Sequence, residues 1–521
     1  MSVELGKETV RVSQVIGENS TQTVVENDII VPDAKPDIEN IMVLDGDVLV
    51  KNTECMQDKV VISGTINYKI LYSTDEETKR VKSIVTKEDF SYSMDFLNVR
   101  EGMGLKADCT VEYMDYSLLN GRKVNVKTIL KINARVQSEE NINIVNNISN
   151  IEDLQVLEDN VDINVYLGES GSDFTVNESM EIPAGKPTVK EILIADLKVA
   201  DVSYKISDEK VAAEGHLNVS TLYVADNEEE NIQLMEHEIP FTQFIDLPGA
   251  AENTHCNIEC KIVDSNVEAI EDNDGELNII NLEAEVAISV EGYVNQTFET
   301  IKDAYSPCNI LAFESSVFIN EEILAKENKP VNIKELVSIE ENEPPVDEVY
   351  NIICKPVLSE YTLDNNSVNV EGVVLSNILY HSNDDNKPVY CHTKEIPFTQ
   401  KFDIANVNKN SSFRIKLDVQ HCSYSLISRD EIELRLVITV NITATGLKEV
   451  VLLDMVEENP VDKNILSNRP SIVIYFAQPE DTLWNIAKNY YTTRDAIKSM
   501  NNIDTDNIAV GQQLFIPKSM V

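Results

Sequence analysis

The stretch GTINYKILY (residues 64–72) decides the fold, because related stretches return twice along the 521-residue chain. GHLNVSTLY (residues 215–223) and GVVLSNILY (residues 372–380) keep the same eight-residue spacing between glycine and tyrosine. The three glycines lie 151 residues (215−64) and 157 residues (372−215) apart. Such self-similarity at a long, nearly constant spacing indicates three tandem copies of one structural unit.

The flanking sequences repeat as well. A Lys-Pro pair opens KPDIENIMV at Lys35, KPTVKEILI at Lys186 and KPVNIKELV at Lys329. The distance from this pair to the glycine is 29 residues in the first two copies (64−35 and 215−186) but 43 residues in the third (372−329). The extra length is acidic and contains proline, which predicts an exposed surface insertion at residues 338–350 of the third copy.

Each copy ends in a long segment whose apolar residues alternate with mostly polar ones. A period of two is typical of a strand with one buried and one hydrated face. The apolar positions are Val124, Val126, Leu130, Ile132, Ala134 and Val136, then Leu282, Ala284, Val286, Ile288 and Val290, then Ile432, Leu434, Leu436, Ile438, Val440 and Ile442. The sequence therefore predicts a mainly β protein with three tandem antiparallel domains, built as sandwiches or barrels.

One segment of each copy has apolar residues at helical spacing. ENIMVL, KEILIA and KELVSI follow the Lys-Pro pairs and predict one short helix per copy. We place the three β-rich domains at residues 1–150, 151–310 and 311–455. A polar, proline-containing linker is predicted at residues 456–470, before a C-terminal module at residues 471–521.

The net charge of −47 is the strongest feature of the composition. The last 51 residues have four basic and five acidic side chains (4−5 = −1), so the rest of the chain has −46 (39−85). An acidic surface of this kind repels phosphate backbones and anionic headgroups, so we expect no nucleic-acid partner and no binding to a membrane surface.

The chain begins MSVELGKETV, without a basic and then apolar segment, and contains no run of 18 apolar residues. We therefore expect a soluble, cytosolic protein with no membrane insertion. Its eight cysteines are thinly spread, which does not suggest a disulfide framework. Some lie beside histidines, as in His255–Cys256, Cys391–His392 and His421–Cys422. Buried thiols are the favoured interpretation, and no metal site is predicted.

The C-terminal module has a different pattern. IVIYFA (residues 472–477) and VGQQLFIP (residues 510–517) are typical of strands. Between them, Leu483, Ile486, Ala487 and Tyr490 lie on one helical face, and Asp481 or Thr482 can cap that helix. A second helix is predicted to start near Thr492 or Thr493, with Ile497 and Met500 facing inward. The order is strand–helix–helix–strand.

This module resembles the LysM family. The family's Asp-Thr-Leu-Trp-x-Ile-Ala motif is present at residues 481–487, and its Ile-x-Val-Gly-Gln-x-Leu-x-Ile-Pro motif at residues 508–517. Tyr475 and Asn501 also match, whereas Glu480 replaces the family's usual glycine. The resemblance implies a groove for N-acetylglucosamine units, formed by the loop around Glu480 and the loop after the second helix. A carboxylate at that place changes the groove's shape and charge.

Three β-rich repeats followed by LysM resemble the SipL family of clostridial spore coat morphogenetic proteins, whose repeats are of the SPOCS type. The resemblance implies a location in the mother-cell cytoplasm, at the forespore surface or spore coat. It also implies that the LysM module binds stage IV sporulation protein A, the coat ATPase, with other coat proteins as further partners. The predicted partner-binding residues are Ile472, Tyr475, Glu480, Asp481, Thr482, Trp484, Lys488, Arg494, Lys498 and Asn501.

Three functions compete at this point. A non-enzymatic coat scaffold is favoured, and a peptidoglycan-binding or N-acetylglucosamine-binding anchor of cortex or wall is the alternative. A wall hydrolase with a LysM targeting module is disfavoured, because a catalytic domain is normally not triplicated. No G-x-x-x-x-G-K-[ST], H-E-x-x-H or G-x-S-x-G motif occurs either. We predict that the protein is not an enzyme and uses no cofactor.

Overall fold

The computed structural model of the protein describes residues 3–74, 81–227, 231–364, 366–384, 388–405, 407, 411–460 and 470–518. Strands form most of this part of the chain. Its two helices lie in the C-terminal module, and neither is long and apolar enough to cross a bilayer.

The first copy has six strands: β1 (Glu4–Ile30), β2 (Ile38–Met56), β3 (Lys59–Thr74), β4 (Val81–Asp95), β5 (Gly104–Asn120) and β6 (Lys123–Ser149). The second has β7 (Gln155–Glu181), β8 (Val189–Ser207), β9 (Lys210–Ala225), β10 (Ile232–Asp246), β11 (His255–Glu271) and β12 (Leu277–Tyr305). The third has β13 (Asn309–Ser338), β14 (Glu348–Asp364), β15 (Ser367–His381), β16 (Val389–Asp403), β17 (Ser412–Ser428) and β18 (Glu431–Pro460).

Each set of six strands forms two three-stranded antiparallel sheets. Their orders are β1-β6-β5 with β2-β3-β4, β7-β12-β11 with β8-β9-β10, and β13-β18-β17 with β14-β15-β16. The core of the first copy lies between its sheets, where Ile62 and Ile66 of β3 join the same cluster as Leu130 and Ile132 of β6. The mainly β, antiparallel fold class predicted from the sequence is confirmed.

The alternating segments at the end of each copy are β6, β12 and β18. Every apolar residue assigned to their inner faces is buried. β18 continues to Pro460, paired with the start of β13, so the first five residues of the predicted linker are strand. Residues 461–469 of that linker lie outside the described residues.

The short helices predicted in each copy are wrong. ENIMVL lies in β2, KEILIA in β8, and all but the last residue of KELVSI in β13. Two of the three register shifts of β2 lie at ENIMVL, and two of the three of β8 lie at the equivalent positions of KEILIA. An extra residue at a bulge changes the spacing of the inward side chains, and the result resembles a helical period. In β13 the exposed Leu336 adds an apolar residue on the outer face.

The insertion predicted in the third copy is also wrong. The hydroxyl groups of Tyr72, Tyr223 and Tyr380 donate to the carbonyl oxygens of Pro36, Pro187 and Pro344, each 36 residues earlier. Pro344, and not Pro330, is therefore the third counterpart of the Lys-Pro proline. Lys329 lies within a strand, and its Lys-Pro pair is a chance match.

The repeated position requires glycine, because a phenylalanine ring packs directly against its Cα atom. Gly64 pairs with Phe90, and Gly372 pairs with Phe398 in the same way. A Cβ atom on Gly372 would lie 2.5 Å from the Phe398 ring and 2.7 Å from the carbonyl oxygen of Val357. The repeated glycine and the repeated phenylalanine are therefore two halves of one contact.

The three copies close into a ring. β4 of the first copy contacts β8 of the second, β10 of the second contacts β14 of the third, and β16 of the third contacts β2 of the first. Residues of all three copies share one buried apolar cluster, which includes Leu71, Leu222 and Leu379. A second cluster joins the long strands of the three copies through Ile144, Phe298 and residues near them.

A cavity of about 2220 Å³ lies at the centre of this ring, lined by strands of all three copies. Charged side chains cross the boundaries between copies there. Lys69 of the first copy lies 2.5 Å from Asp196 of the second, and Lys355 of the third lies 3.5 Å from Asp47 of the first. Burial disfavours ionised Asp47, but Lys355 and Lys69 outweigh that effect and lower its pKa to about 2. The carboxylate is therefore ionised at neutral pH.

Candidate binding surface of the C-terminal module

The C-terminal module has the predicted order: β19 (Ile472–Phe476), α1 (Leu483–Asn489), α2 (Arg494–Asn501) and β20 (Gln513–Pro517). Thr482 caps α1 by accepting from the amide of Asn485, and Thr493 caps α2 by accepting from the amide of Ala496. These bonds satisfy amides that have no partner within the helix. Ile497 is buried as predicted, but the prediction that Met500 faces inward is wrong, since Met500 is 41% exposed.

The loop before α1 is held by Asp481. Its carboxylate accepts from the Tyr475 hydroxyl and from the Gln478 amide, both at 2.7 Å. The hydrogen bond to Asp481 raises the pKa of the Tyr475 phenol. Glu480, directly before Asp481, has a φ of +71°, a left-handed conformation that suits glycine. The departure from the LysM pattern thus falls on a residue whose backbone favours glycine.

Asn501 fastens α2 to the sheet. Its amide donates to the carbonyl oxygens of Ile497 and Phe515, and its side-chain oxygen accepts from the Phe515 amide at 2.7 Å. Because all these bonds are internal, Asn501 has a clear structural role in the module.

Trp484 packs against the second copy. It is 5% exposed, and its indole N–H donates to Asp303 of β12 at 2.8 Å. The ring of Tyr305 meets the indole edge-on, with centroids 4.8 Å apart, and the Tyr305 hydroxyl donates to the carbonyl oxygen of Thr492. These contacts form an interface between the module and the end of β12.

The basic residues of the two helices also have partners within the chain. The Lys488 ammonium lies 2.6 Å from Asp303 and 5.8 Å from the centre of the Phe313 ring in β13. Arg494 stacks on Trp484 at 5.0 Å and lies 3.0 Å from Asp506. Lys498 also pairs with Asp506, and these two cations lower the pKa of that carboxyl.

The outer face of the β19–β20 sheet is apolar and open. Ile472 is 46% exposed, Ile474 56%, Phe476 55% and Phe515 39%. Val473 and Tyr475, on the other face of β19, pack on the helices. The sequence analysis named Ile472 but missed the other three. The available signal was that β19 is apolar on both faces although the helices can cover only one.

The ten predicted partner-binding residues therefore fall into distinct groups. Tyr475, Asp481, Thr482 and Asn501 stabilise the module, Arg494 and Lys498 pair with Asp506, and Trp484 and Lys488 form the interface with the second copy. Ile472 and Glu480 are exposed. Their assignment to a partner-binding surface stays a prediction.

Comparison with protein families gives two matches. The SipL SPOCS domain matches three times, at residues 37–119, 188–270 and 345–427. The LysM domain matches at residues 475–517. The chain has the SPOCS–LysM architecture of the SipL family. No curated protein and no solved structure matches it.

The three SPOCS matches begin directly after Pro36, Pro187 and Pro344, in agreement with the tyrosine–proline bonds. Each match covers four of the six strands, such as β2 to β5, and omits the two long strands that flank them. SPOCS and LysM are non-catalytic binding domains. Their combination fits a spore coat-related protein with a module from the LysM family.

Within the described residues, no group of three or more His, Cys, Asp or Glu side chains is arranged to hold a metal ion. The His–Cys pairs noted in the sequence have other neighbours. His392 pairs with Glu343 at 2.6 Å, and Cys422 lies 3.7 Å from Cys354. His392 replaces Ile84 of the first copy and Met235 of the second, so this buried His–Glu contact is specific to the third SPOCS domain.

Proposed function

We propose that the protein is a non-enzymatic scaffold of spore coat morphogenesis. In this proposal it works in the mother-cell cytoplasm, at the forespore surface. Its LysM module binds stage IV sporulation protein A, and its SPOCS ring offers an acidic surface to other coat proteins. The SPOCS–LysM architecture and the net charge of −47 support this function.

The open face of the β19–β20 sheet is the observation that carries the proposal. Trp484 and Lys488 fix the module on β12, so this face has a defined orientation relative to the SPOCS ring. Contiguous exposed apolar side chains are typical of surfaces that bind other proteins. A tether of this kind needs a fixed orientation, because a rigidly held face loses less entropy on binding.

Binding of N-acetylglucosamine units is less well supported. In the LysM family the glycan groove includes the loop around Glu480, and here that loop has one extra carboxylate and a left-handed backbone. Asp481 in the same loop is already bonded to Tyr475 and Gln478. Fewer polar groups of the loop are thus available to a sugar.

The test is a binding comparison with the full chain. The protein is titrated against stage IV sporulation protein A and, separately, against chitin-type and peptidoglycan oligosaccharides. We expect saturable binding to the protein partner, reduced at least about tenfold by Phe476→Asp, because a charge then enters an apolar interface. Val510→Asp is the matched control, since Val510 is 69% exposed on the same module but outside β19 and β20.

Equal binding by both variants would show that the sheet face is not the contact. Binding to oligosaccharide without binding to the protein would refute the tether and favour a cortex or wall anchor.

A further inference from the structure

Two thiols of the third SPOCS domain lie close together at the interface between its two sheets. Cys354 is on β14 and Cys422 is on β17, and their Sγ atoms are 3.7 Å apart. β14 and β17 belong to different sheets and share no ladder of backbone hydrogen bonds. Both cysteines are free thiols. A bond between them would therefore connect the two layers of the domain.

We propose that Cys354 and Cys422 form an oxidisable dithiol, which a small-molecule disulfide converts into a disulfide bond between the two sheets. The sulfur atoms must approach each other by about 1.7 Å to reach the length of a disulfide bond. Rotation of the two side chains can supply part of a movement of this size, and the contact between β14 and β17 keeps the backbones near each other.

The surroundings of Cys354 favour it as the attacking thiol. Its Sγ lies 3.7 Å from that of Cys422, to which the Cys354 thiol donates, and 3.5 Å from the Ser376 hydroxyl. Once Cys354 is ionised, both neighbours can donate to it. These bonds, first of all the one from Cys422, lower the pKa of Cys354, while the same contact raises the pKa of Cys422. A thiolate at Cys354 is thus stabilised by two donors, and the thiolate is the reactive form in exchange.

The central cavity gives a reagent access to this site. Cys354 lines the cavity, whose volume of about 2220 Å³ is ample for a small disulfide such as cystamine or oxidised glutathione. The Cys354 thiolate attacks one sulfur of the reagent, forms a mixed disulfide and releases one small thiolate. Cys422 then loses its proton to solvent and attacks Cys354 Sγ, which releases the second small thiolate. Two protein thiols and one small disulfide yield one protein disulfide and two small thiols.

The other two SPOCS domains show that this interface does not need cysteine. With the offsets of 157 and 151 residues, Cys354 corresponds to Leu197 (354−157) and Gly46 (197−151). Cys422 corresponds in the same way to Ser265 (422−157) and Met114 (265−151). A Cβ atom on Gly46 would lie 3.2 Å from the end of the Met114 side chain, so the equivalent positions are also adjacent in the first domain. The third domain alone has a thiol at both positions, which argues for a chemical role beyond packing.

The experiment uses the full reduced protein, exposed to cystamine, then alkylated, digested without reductant and analysed by mass spectrometry. We expect one dominant cross-link, between the peptides of Cys354 and Cys422, with a mass about 2 Da below that of the two thiol peptides. The oxidised protein should melt several degrees higher than the reduced one, because the bond closes a long loop. Reductant should reverse both changes.

Cys354→Ser should abolish the cross-link and the thermal shift, whereas Cys391→Ser is a matched control that should keep both. Cys391 also lines the cavity, but burial raises the pKa of its thiol to about 12. No cross-link in the wild-type protein, or a cystamine adduct on Cys354 that never proceeds to the protein disulfide, would overturn the proposal. Cross-links spread evenly over several cysteines would also overturn it.

Discussion

Asp303→Ala should release the LysM module from the SPOCS ring. Asp303 accepts the indole N–H of Trp484 at 2.8 Å and the Lys488 ammonium at 2.6 Å, so one substitution removes two polar contacts of the interface and leaves the Tyr305–Thr492 hydrogen bond. A hydrogen bond to a charged group contributes about 1.5–3 kcal/mol. The ion pair adds at most about 1 kcal/mol, because the two side chains are 38% and 26% exposed.

The two contributions share one carboxylate, so we expect a loss of about 2–3 kcal/mol of docking free energy, or at least about thirtyfold in the docking equilibrium. Trp484 is the only tryptophan of the chain, so its fluorescence reports the interface directly. We expect emission from Asp303→Ala at longer wavelength than from the wild-type protein, and loss of the Trp484 signal at lower urea concentration.

Asp159→Ala is the matched control for this experiment. Asp159 lies on β7, beside β12, and forms an ion pair with Lys302 at 2.8 Å, but both side chains are about half exposed or more. We expect it to leave the urea midpoint unchanged, because an exposed ion pair contributes little to stability. If Asp303→Ala and Asp159→Ala gave the same emission maximum and the same midpoint, the assignment of docking energy to Asp303 would be refuted.

Three further predictions concern the fold. Gly372→Ala should destabilise the third SPOCS domain by about 1–3 kcal/mol in chemical denaturation, since its Cβ would overlap the Phe398 ring. Glu480→Gly should stabilise the module by about 1 kcal/mol in Trp484 fluorescence melts, because glycine adopts the left-handed backbone without strain. The folded-state pKa of Asp47 is about 2, so its contribution is present above about pH 4 and is lost as the pH falls towards 2. The denaturation midpoint should therefore fall less between pH 5 and pH 2.5 for Asp47→Asn than for the wild-type protein. The difference between the two proteins should be small, because the Asp47 side chain is half exposed.

A specific result would refute each of these predictions. Gly104→Ala is the matched control for Gly372→Ala, because a Cβ atom at residue 104 would have no neighbour closer than 3.6 Å. An equal loss of stability in the two variants would refute the overlap between the new Cβ and the Phe398 ring. An unchanged or lower melting point for Glu480→Gly would show that the carboxylate contributes more than the backbone strain costs. Equal acid sensitivity of Asp47→Asn and the wild-type protein would show that Asp47 does not contribute to the loss of stability at low pH.

The predicted Lys-Pro match in the third copy was wrong for a reason that the sequence itself can correct. The match at Lys329 rested on two adjacent residues, whereas 28 residues separate proline and glycine in each copy once Pro344 is used (64−36, 215−187, 372−344). Counting back from Gly372 would have found it. The helical pattern near residues 39–44 could not be corrected in this way, because a bulge depends on the partner strand and leaves no certain mark in its own sequence.

The sequence by itself determined the strands, their threefold repetition and the strand–helix–helix–strand module, because alternation, capping residues and the LysM motif act over a few neighbouring residues. Only the tertiary structure decided that the three copies close into a ring, that Trp484 meets Asp303 and that Cys354 meets Cys422. Each of these contacts joins residues 68 or more positions apart (422−354). Their formation depends on how whole sheets pack, and the local pattern around either partner contains no information about the other.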